Sequence, residues 1–289
     1  MNPAWLDPVE YPFAPHTLDL AAGRMHYLDE GQGPPLVMVH GTPTWSFLYR
    51  HLIRGLASRY RCVVPDHLGF GLSDKPATWS YRPRDHAEHL RQLIEHLGLR
   101  HITLVVEDFG GPIGLAYALN RPGNVDRLVL SNTWMWSLRG DPHFERFGRL
   151  AASPVGRFLY TRLNLSPRII LKLAVGRKAA FTKAIHRHYL GPFPFPRDRQ
   201  GAWVLARELL GSSDWYESLW AQRATIRDMP ALIAWGMRDP AFRRQELERW
   251  TALFTDRRIV ELADVGHLVA EEAGPVCAAE IDRFVSAGL

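Results

Sequence analysis

The sequence predicts an α/β fold in which a mostly parallel central sheet has helices on both faces and carries an inserted helical cap. Three observations lead to this prediction. Short apolar runs of strand length recur along the chain, segments with helical periodicity separate them, and this alternation stops for roughly a hundred residues before it resumes.

The order of the elements follows from these patterns. Six apolar runs are the predicted parallel strands, at 35–40, 61–66, 102–108, 126–132, 231–239 and 258–266. Four segments with apolar residues three or four apart are predicted helices, at 47–60, 85–98, 112–119 and 243–254. An earlier segment has the pattern of a hairpin that turns near Gly23, so we expect an antiparallel edge ahead of the parallel strands.

The interruption between the fourth and fifth parallel strands is rich in Arg, punctuated by Pro and helical in pattern. Because an unstructured loop of that length is improbable, we predict a helical cap at 135–226 between two parts of one core, 1–134 and 227–289. A cap over the carboxyl ends of the strands would cover the crevice in which open α/β sheets bind ligands.

The net charge of +5 is distributed unevenly. Between Arg139 and Arg199 there are thirteen Lys or Arg against three acidic residues, a net charge of +10, and the rest of the chain carries −5. The aromatic-basic interleaving typical of nucleic-acid binders is lacking, so no nucleic-acid partner is expected. The basic segment is interpreted as a solvated helical face, with contact to a membrane surface or an acidic protein as the alternative.

The remaining compositional features indicate a soluble, cytoplasmic protein. No uninterrupted run of eighteen apolar residues occurs, and the amino terminus lacks a basic start followed by an apolar run. The two cysteines, Cys62 and Cys277, are too few for a disulfide framework and are expected to be core thiols. No metal or cofactor signature is present, so we expect no cofactor.

The strongest functional signal is the segment ITLVVEDFGGPIGL, in which an apolar strand is followed by Asp108, two glycines and a helix that begins near Pro112. This pattern is typical of a nucleophile elbow, whose sharp turn needs small neighbours so that the nucleophile stands exposed above the sheet. The nucleophile position holds Asp in place of Ser. The alternative, an Asp that merely caps a helix, does not require paired glycines.

A second segment, VHGTP, follows the strand at 35–40. It would place the backbone amide of Thr42 at the mouth of the sheet, where the amide of Phe109 is also expected. Together these amides would form an oxyanion hole, which stabilises the negative charge of a tetrahedral intermediate.

The partners of the nucleophile should follow in the order acid and then histidine, with the histidine in a loop after the last strand. His267 has that position, and Asp239 lies at the carboxyl end of the preceding strand. A carboxylate nucleophile can displace a leaving group from a saturated carbon without a base, which leaves an ester on Asp108. His267 would then activate water to hydrolyse this ester. The pattern therefore favours alkyl halides, epoxides or strained lactones as substrates over esters and peptides.

The motifs HGTPTWSFLYR, VPDHLGFGLSDKP, VVEDFGGPIGL, WGMRDPAFR and DVGHLVAEE closely resemble those of haloalkane dehalogenases. The resemblance covers the core and is weaker in the cap. It implies an α/β-hydrolase fold, a hydrolase that cleaves carbon-halogen bonds, and Asp108, His267 and Asp239 as nucleophile, base and acid. In another subgroup of that family the acid is a Glu on the strand before the cap. The corresponding segment of this chain, SNTWMWS at 131–137, contains no Glu.

Two positions depart from that family. Where the family has a Trp after the nucleophile and often an Asn at position 42, both of which hold the departing halide, this chain has Phe109 and Thr42. Replacement donors would have to come from tryptophans before or within the cap. The candidates are Trp134, Trp136, Trp203, Trp215 and Trp220, of which the first three are the predicted pocket residues.

Three alternatives remain open. Related β-lactone decarboxylases of olefin biosynthesis share the nucleophile and need no halide site. Epoxide hydrolases need acidic donors on the cap, for which Tyr160, Tyr189 and Tyr216 are available. A different class, a catalytically idle small-molecule-binding module, would not need the complete set of Asp108, His267 and Asp239.

Overall fold

The computed structural model describes residues 3–287 and contains one eight-stranded sheet in the order β1-β2-β4-β3-β5-β6-β7-β8. The strands are β1 (His16–Leu20), β2 (Gly23–Glu30), β3 (Pro35–Val39), β4 (Arg61–Pro65), β5 (Ile102–Asp108), β6 (Val125–Thr133), β7 (Ala231–Gly236) and β8 (Arg257–Leu262). The β1-β2 and β2-β4 pairs are antiparallel, and all other pairs are parallel.

Helices lie on both faces of this sheet, as predicted. The core helices are α1 (Arg50–Leu56), α2 (Pro83–His96), α3 (Gly110–Asn120), α10 (Arg244–Leu253), α11 (Val269–Glu272) and α12 (Gly274–Ser286). Short 3₁₀ turns occur at Ser46–Tyr49, Pro122–Asn124, Lys178–Ala180, Pro196–Arg199 and Arg223–Ile226. Within the described residues, no helix is both long and apolar enough to cross a membrane.

All regular structure between β6 and β7 is helical. It comprises α4 (Pro142–Ala152), α5 (Pro154–Thr161), a π-helical turn (Ser166–Ile170), α6 (Leu171–Ala174), α7 (Lys183–Leu190), α8 (Gln200–Gly211) and α9 (Ser213–Ala221). Three of these helices begin at a side-chain cap, in which Asp141, Ser153 and Thr182 each accept a hydrogen bond from a first-turn amide. We refer to this region as helical segment 135–226.

The sheet interior explains why the strands were recognisable in the sequence. Every residue of β5 is buried, because β3 and β6 flank it and helices cover both of its faces. Cys62 on β4 and Cys277 on α12 are buried free thiols. The hairpin turn falls between Leu20 and Gly23, as predicted. β7 and β8 end earlier than the apolar runs suggested, which leaves Asp239 and His267 in loops at the carboxyl edge.

Candidate active site

Asp108 ends β5 in a left-handed backbone conformation, with φ of +53°, and α3 begins two residues later. This turn requires small neighbours, since a Cβ on Gly41 would lie 2.4 Å from Asp108 Oδ2 and one on Gly110 would lie 1.9 Å from the Val39 carbonyl oxygen. A left-handed residue other than Gly is strained, and such strain concentrates at functional sites. The geometry is that of a nucleophile elbow.

The Asp108 carboxylate is buried but has polar partners. The Thr42 amide donates a hydrogen bond to Oδ2 at 2.8 Å. Burial raises the pKa of Asp108 to about 6, while the positive charge of His267 and the amides of Thr42 and Phe109 act in the opposite direction. The carboxylate is therefore ionised at neutral pH and becomes protonated as the pH falls through about 6.

His267 lies between the two carboxylates predicted to work with it. Its Nδ1 is 2.8 Å from Asp239 Oδ2, and its Nε2 is 3.9 Å from Asp108 Oδ2. Burial lowers the pKa of His267 because it disfavours the imidazolium. The negative charge of Asp239, followed by those of Asp108 and Glu107, has the larger effect and raises the pKa to about 10. Because Asp239 accepts from Nδ1, the imidazole directs Nε2 toward Asp108.

The structure adds a residue that the sequence analysis did not identify, Asn132. Its Nδ2 donates to Asp239 Oδ2 at 2.7 Å and to the Gly236 carbonyl at 3.0 Å, and the Gly236 amide donates to its Oδ1 at 2.7 Å. The Ala241 amide donates to Asp239 Oδ1 at 2.7 Å. Asn132 also has a positive φ of +34°, a conformation that Asn tolerates better than most residues. In the sequence, the only signal for this role was the position of an Asn at the carboxyl end of a predicted buried strand.

Two buried glutamates hold the loop that carries His267. Glu107 accepts hydrogen bonds from the amides of Val269 and Ala270, at 3.2 and 3.4 Å. Burial raises the pKa of Glu107 to about 8. Glu272 accepts from three amides, those of Gly176, Arg177 and Gly266, at 2.8, 2.6 and 3.0 Å. The loop is thereby attached both to the sheet and to helical segment 135–226.

A cavity of about 350 Å³ opens above Asp108. Thr42, Asp108, Phe109 and His267 form its floor, and helical segment 135–226 supplies most of its walls. The wall residues are predominantly apolar, among them Phe144, Phe147, Ile170, Leu171, Leu173, Ala206 and Leu209. This volume and lining fit a small apolar molecule with one reactive group at the floor.

Three hydroxyl-bearing residues, Thr42, Tyr160 and Ser166, interrupt the apolar lining. Thr42 Oγ1 is buried and has no hydrogen-bond partner in the described chain. Tyr160 also lines the cavity, and its hydroxyl makes no hydrogen bond to residues 3–287. Burial, and secondarily the charge of Asp108, raise the pKa of Tyr160, so the phenol keeps its proton and remains a donor.

The other two tyrosines proposed as donors are already engaged. The Tyr189 hydroxyl donates to Glu271 Oε2 at 2.5 Å, and the Tyr216 hydroxyl donates to the Glu208 carbonyl oxygen at 3.0 Å. Neither residue lines the cavity above Asp108. Of the three, the structure brings only Tyr160 to the site.

The three tryptophans predicted for the pocket lie elsewhere. Trp134 contacts Phe109 edge-on, with ring centroids 4.8 Å apart, and its buried indole N–H has no partner among the described residues. Trp136 packs against Trp220 and Trp250, and the indole of Trp203 donates to the Ala151 carbonyl at 2.9 Å. None of the three lines the cavity above Asp108.

Within residues 3–287, no group of three or more His, Cys, Asp or Glu side chains is arranged to hold a metal ion. The floor of the cavity presents an array of two carboxylates and one imidazole, in which His267 is hydrogen-bonded to Asp239 and directs Nε2 toward Asp108 at 3.9 Å. That array can displace a leaving group and then deprotonate water with side chains alone.

Comparisons with known proteins agree with this architecture. Residues 34–273 match the family model for the α/β hydrolase fold. Haloalkane dehalogenase 2 of Mycobacterium tuberculosis is 37% identical over 281 residues, covering 96% of this chain and 97% of that protein. A cis-3-alkyl-4-alkyloxetan-2-one decarboxylase of Xanthomonas campestris is 34% identical over 294 residues, covering 95% and 97%.

A solved haloalkane dehalogenase from Bradyrhizobium elkani supports the fold. It superimposes with a TM-score of 0.86 at 24% identity, and the match covers 95% of this chain and 99% of that one. The site and the fold define an α/β-hydrolase enzyme with an aspartate at the elbow. The chain belongs to the haloalkane dehalogenase-like family of α/β-hydrolases.

Proposed function

We propose that this enzyme cleaves carbon-halogen bonds in small apolar molecules, with Asp108 as nucleophile, His267 as base and Asp239 as the acid that orients His267. In this proposal, helical segment 135–226 is the cap over a core formed by 1–134 and 227–289. The observation that carries the proposal is the position of Asp108 on the floor of an apolar cavity, 3.9 Å from His267 Nε2.

In the first step, the Asp108 carboxylate attacks the saturated carbon that bears the halogen. A carbon-oxygen bond forms, the carbon-halogen bond breaks, and the halide leaves with the bonding electrons. The apolar cavity favours this step because a poorly hydrated carboxylate is a stronger nucleophile. The hydroxyl groups of Thr42 and Tyr160, with that of Ser166, are donors available to the departing halide.

The second step hydrolyses the ester. Esterification removes the negative charge of Asp108, one of the groups that raise the pKa of His267, so the imidazole loses its proton more readily. Nε2 then accepts a proton from water, and the resulting hydroxide attacks the ester carbonyl. The amides of Thr42 and Phe109 stabilise the oxyanion, and its collapse releases the alcohol and restores the carboxylate.

A second candidate substrate class, a β-lactone, is favoured by Phe109, which offers no donor to a halide. Attack of Asp108 on the saturated ring carbon would displace the carboxylate of the lactone, which stays attached to the substrate. No separate halide site is needed for such a leaving group. The similarity to proteins named oxetan-2-one decarboxylases is consistent with this candidate.

Halide release from a panel of brominated alkanes tests the proposal, with a β-lactone and an epoxide assayed in parallel. Wild type is compared with Asp108→Ala, and Asp19→Ala, which changes an exposed aspartate, serves as the matched control. Bromide release that is lost only in Asp108→Ala supports the proposal. Asp108-dependent turnover of the lactone or epoxide without bromide release would mean that the substrate belongs to one of those classes and is not a haloalkane. Turnover that survives Asp108→Ala would refute the mechanism.

A further inference from the structure

Helical segment 135–226 exposes an unusual number of large apolar side chains. Of the ten such side chains in the described residues, seven lie between positions 150 and 195. Phe158 is 54% exposed and Leu173 is 71% exposed. Single exposed apolar residues are ordinary, but a concentration in one region of a surface marks an interaction site.

Most of these side chains directly follow an exposed cation. The sequence contains five such pairs in succession, Arg149-Leu150, Arg157-Phe158, Arg162-Leu163, Arg168-Ile169 and Lys172-Leu173, with both members exposed in each. We refer to these ten residues as the basic-apolar face. In the described chain, Arg162, Arg168 and Lys172 form no salt bridge, so their charges are available to a partner.

Four of the five pairs lie in helical elements, namely α4, α5, the π-helical turn and α6, and Arg162-Leu163 lies in the turn that follows α5. Ala151, Tyr160 and Trp203 form one buried cluster, and Leu165 and Ile170 pack against it. Because α4, α5 and the π-helical turn meet in that cluster, and α6 directly continues the π-helical turn, the five exposed pairs lie in one neighbourhood of helical segment 135–226. Apolar side chains interspersed with Arg and Lys are typical of proteins that lie on anionic membranes.

The cavity reaches this face at Leu173. Leu173 lines the cavity above Asp108 and is also largely exposed. Ile170, one helical turn earlier, lines the same cavity. An apolar substrate, as required by the proposed function, concentrates in the hydrocarbon of a bilayer. A face that places the cavity mouth against lipid would therefore receive substrate without its transfer through water.

We propose that the basic-apolar face docks on the surface of an anionic phospholipid bilayer. The apolar side chains enter the boundary between headgroups and acyl chains, and the cations contact lipid phosphates. The docking itself does not depend on the chemistry at Asp108, and only the delivery of substrate rests on the proposed function. Each cation near an anionic surface changes membrane partitioning by about fivefold.

Flotation with vesicles tests this inference on the full chain. Wild type should float with vesicles of phosphatidylcholine and phosphatidylglycerol and remain in the aqueous fraction with phosphatidylcholine alone. The double variant Arg162→Glu/Arg168→Glu should lose at least about tenfold in vesicle partitioning, and Phe158→Ser/Ile169→Ser should lose a comparable amount. Added salt should weaken the binding of wild type.

Matched controls carry the same changes outside the face. Arg84→Glu/Arg100→Glu reverses two exposed charges on the core, and Val9→Ser replaces an apolar residue that is 75% exposed. Neither control should change the floating fraction, and thermal unfolding should show that all variants are folded. Light scattering without lipid establishes whether the face joins two copies of the chain.

Three results would overturn the inference. Wild type could fail to float with anionic vesicles, the core charge variant could lose as much binding as Arg162→Glu/Arg168→Glu, or the face variants could dissociate a dimer of protein without affecting flotation. Flotation is read without turnover. A protein that floats but releases no bromide would thus contradict the proposed substrate and would still support the proposed docking surface.

Discussion

The floor and the walls of the cavity are held in different ways. On the floor, Asp239 accepts hydrogen bonds from Asn132, Ala241 and His267, and Asp108 accepts one from the Thr42 amide. On the walls, apolar side chains pack against each other, and the Tyr160 hydroxyl has no hydrogen-bond partner among residues 3–287. The floor is fixed for one chemistry, whereas the walls leave donors free for a ligand.

This difference separates two kinds of substitution. A change on the floor should stop one chemical step, because each group has a role that no neighbour can take over. A change on the walls should lower the rate without abolishing the reaction, because a wall donor contributes one hydrogen bond among several interactions with the leaving group.

The largest expected effect is that of His267→Gln. Alkylation of Asp108 does not use His267, so the ester should form at a near-normal rate, while hydrolysis should slow by roughly a thousandfold or more. Intact-protein mass spectrometry after incubation with a bromoalkane should show the mass of one alkyl group. A variant that turns over normally, or that is inactive and carries no adduct, would contradict the division of roles between Asp108 and His267.

A smaller effect is expected for Tyr160→Phe. Loss of one hydrogen bond to a developing anion costs about 1.5–3 kcal/mol, so the alkylation rate should fall by about ten- to a hundredfold. Stability should change little, since the Tyr160 hydroxyl has no partner within residues 3–287. Single-turnover kinetics with a bromoalkane and thermal unfolding measure the two quantities.

Tyr216→Phe is the matched control for this prediction. The Tyr216 hydroxyl donates to the Glu208 carbonyl at 3.0 Å, so its loss should lower the free energy of unfolding by about 1 kcal/mol and leave alkylation unchanged. Equal losses of rate in the two variants would show that the tyrosines act through packing. An unchanged rate in Tyr160→Phe would indicate that Thr42 or another donor stabilises the leaving group.

The sequence predicted the floor better than the walls for a physical reason. The elbow at Asp108 is local, because its strand, glycines and helix are consecutive in the chain. The partner of Asp239 was missed because Asn132 reaches it only through the pairing of β6 with β7, more than a hundred positions apart. The mostly parallel pairing could be predicted because strands and helices alternate regularly along the chain, whereas the order of the strands in the sheet was not predicted.

The walls depend on which side of a helix faces inward, and composition does not determine this. Trp203 was expected in the pocket, but it faces Ala151 while Ala206, on the same helix, lines the cavity. Helix α8 is apolar on several sides, so periodicity could not distinguish the two. Tyr160 was named only as one of three tyrosines, and its free hydroxyl became evident only in three dimensions.

The smallest expected effect concerns Glu107, which holds the His267 loop from beneath the floor. Its pKa is raised from 4.5 to about 8 by burial, so the folded state keeps a proton that the unfolded state releases. Between about pH 4.5 and 8 this difference lowers the free energy of unfolding as the pH rises. Glu107→Gln cannot titrate at this position, and its melting temperature should therefore decline less over this pH range, by several degrees.

Melting curves at about pH 5, 6.5 and 8.5, with the exposed Glu217→Gln as control, provide the measurement. Parallel curves for wild type and Glu107→Gln would mean that Glu107 is already ionised in the folded protein, and that a charged carboxylate accepts the hydrogen bonds from the amides of Val269 and Ala270.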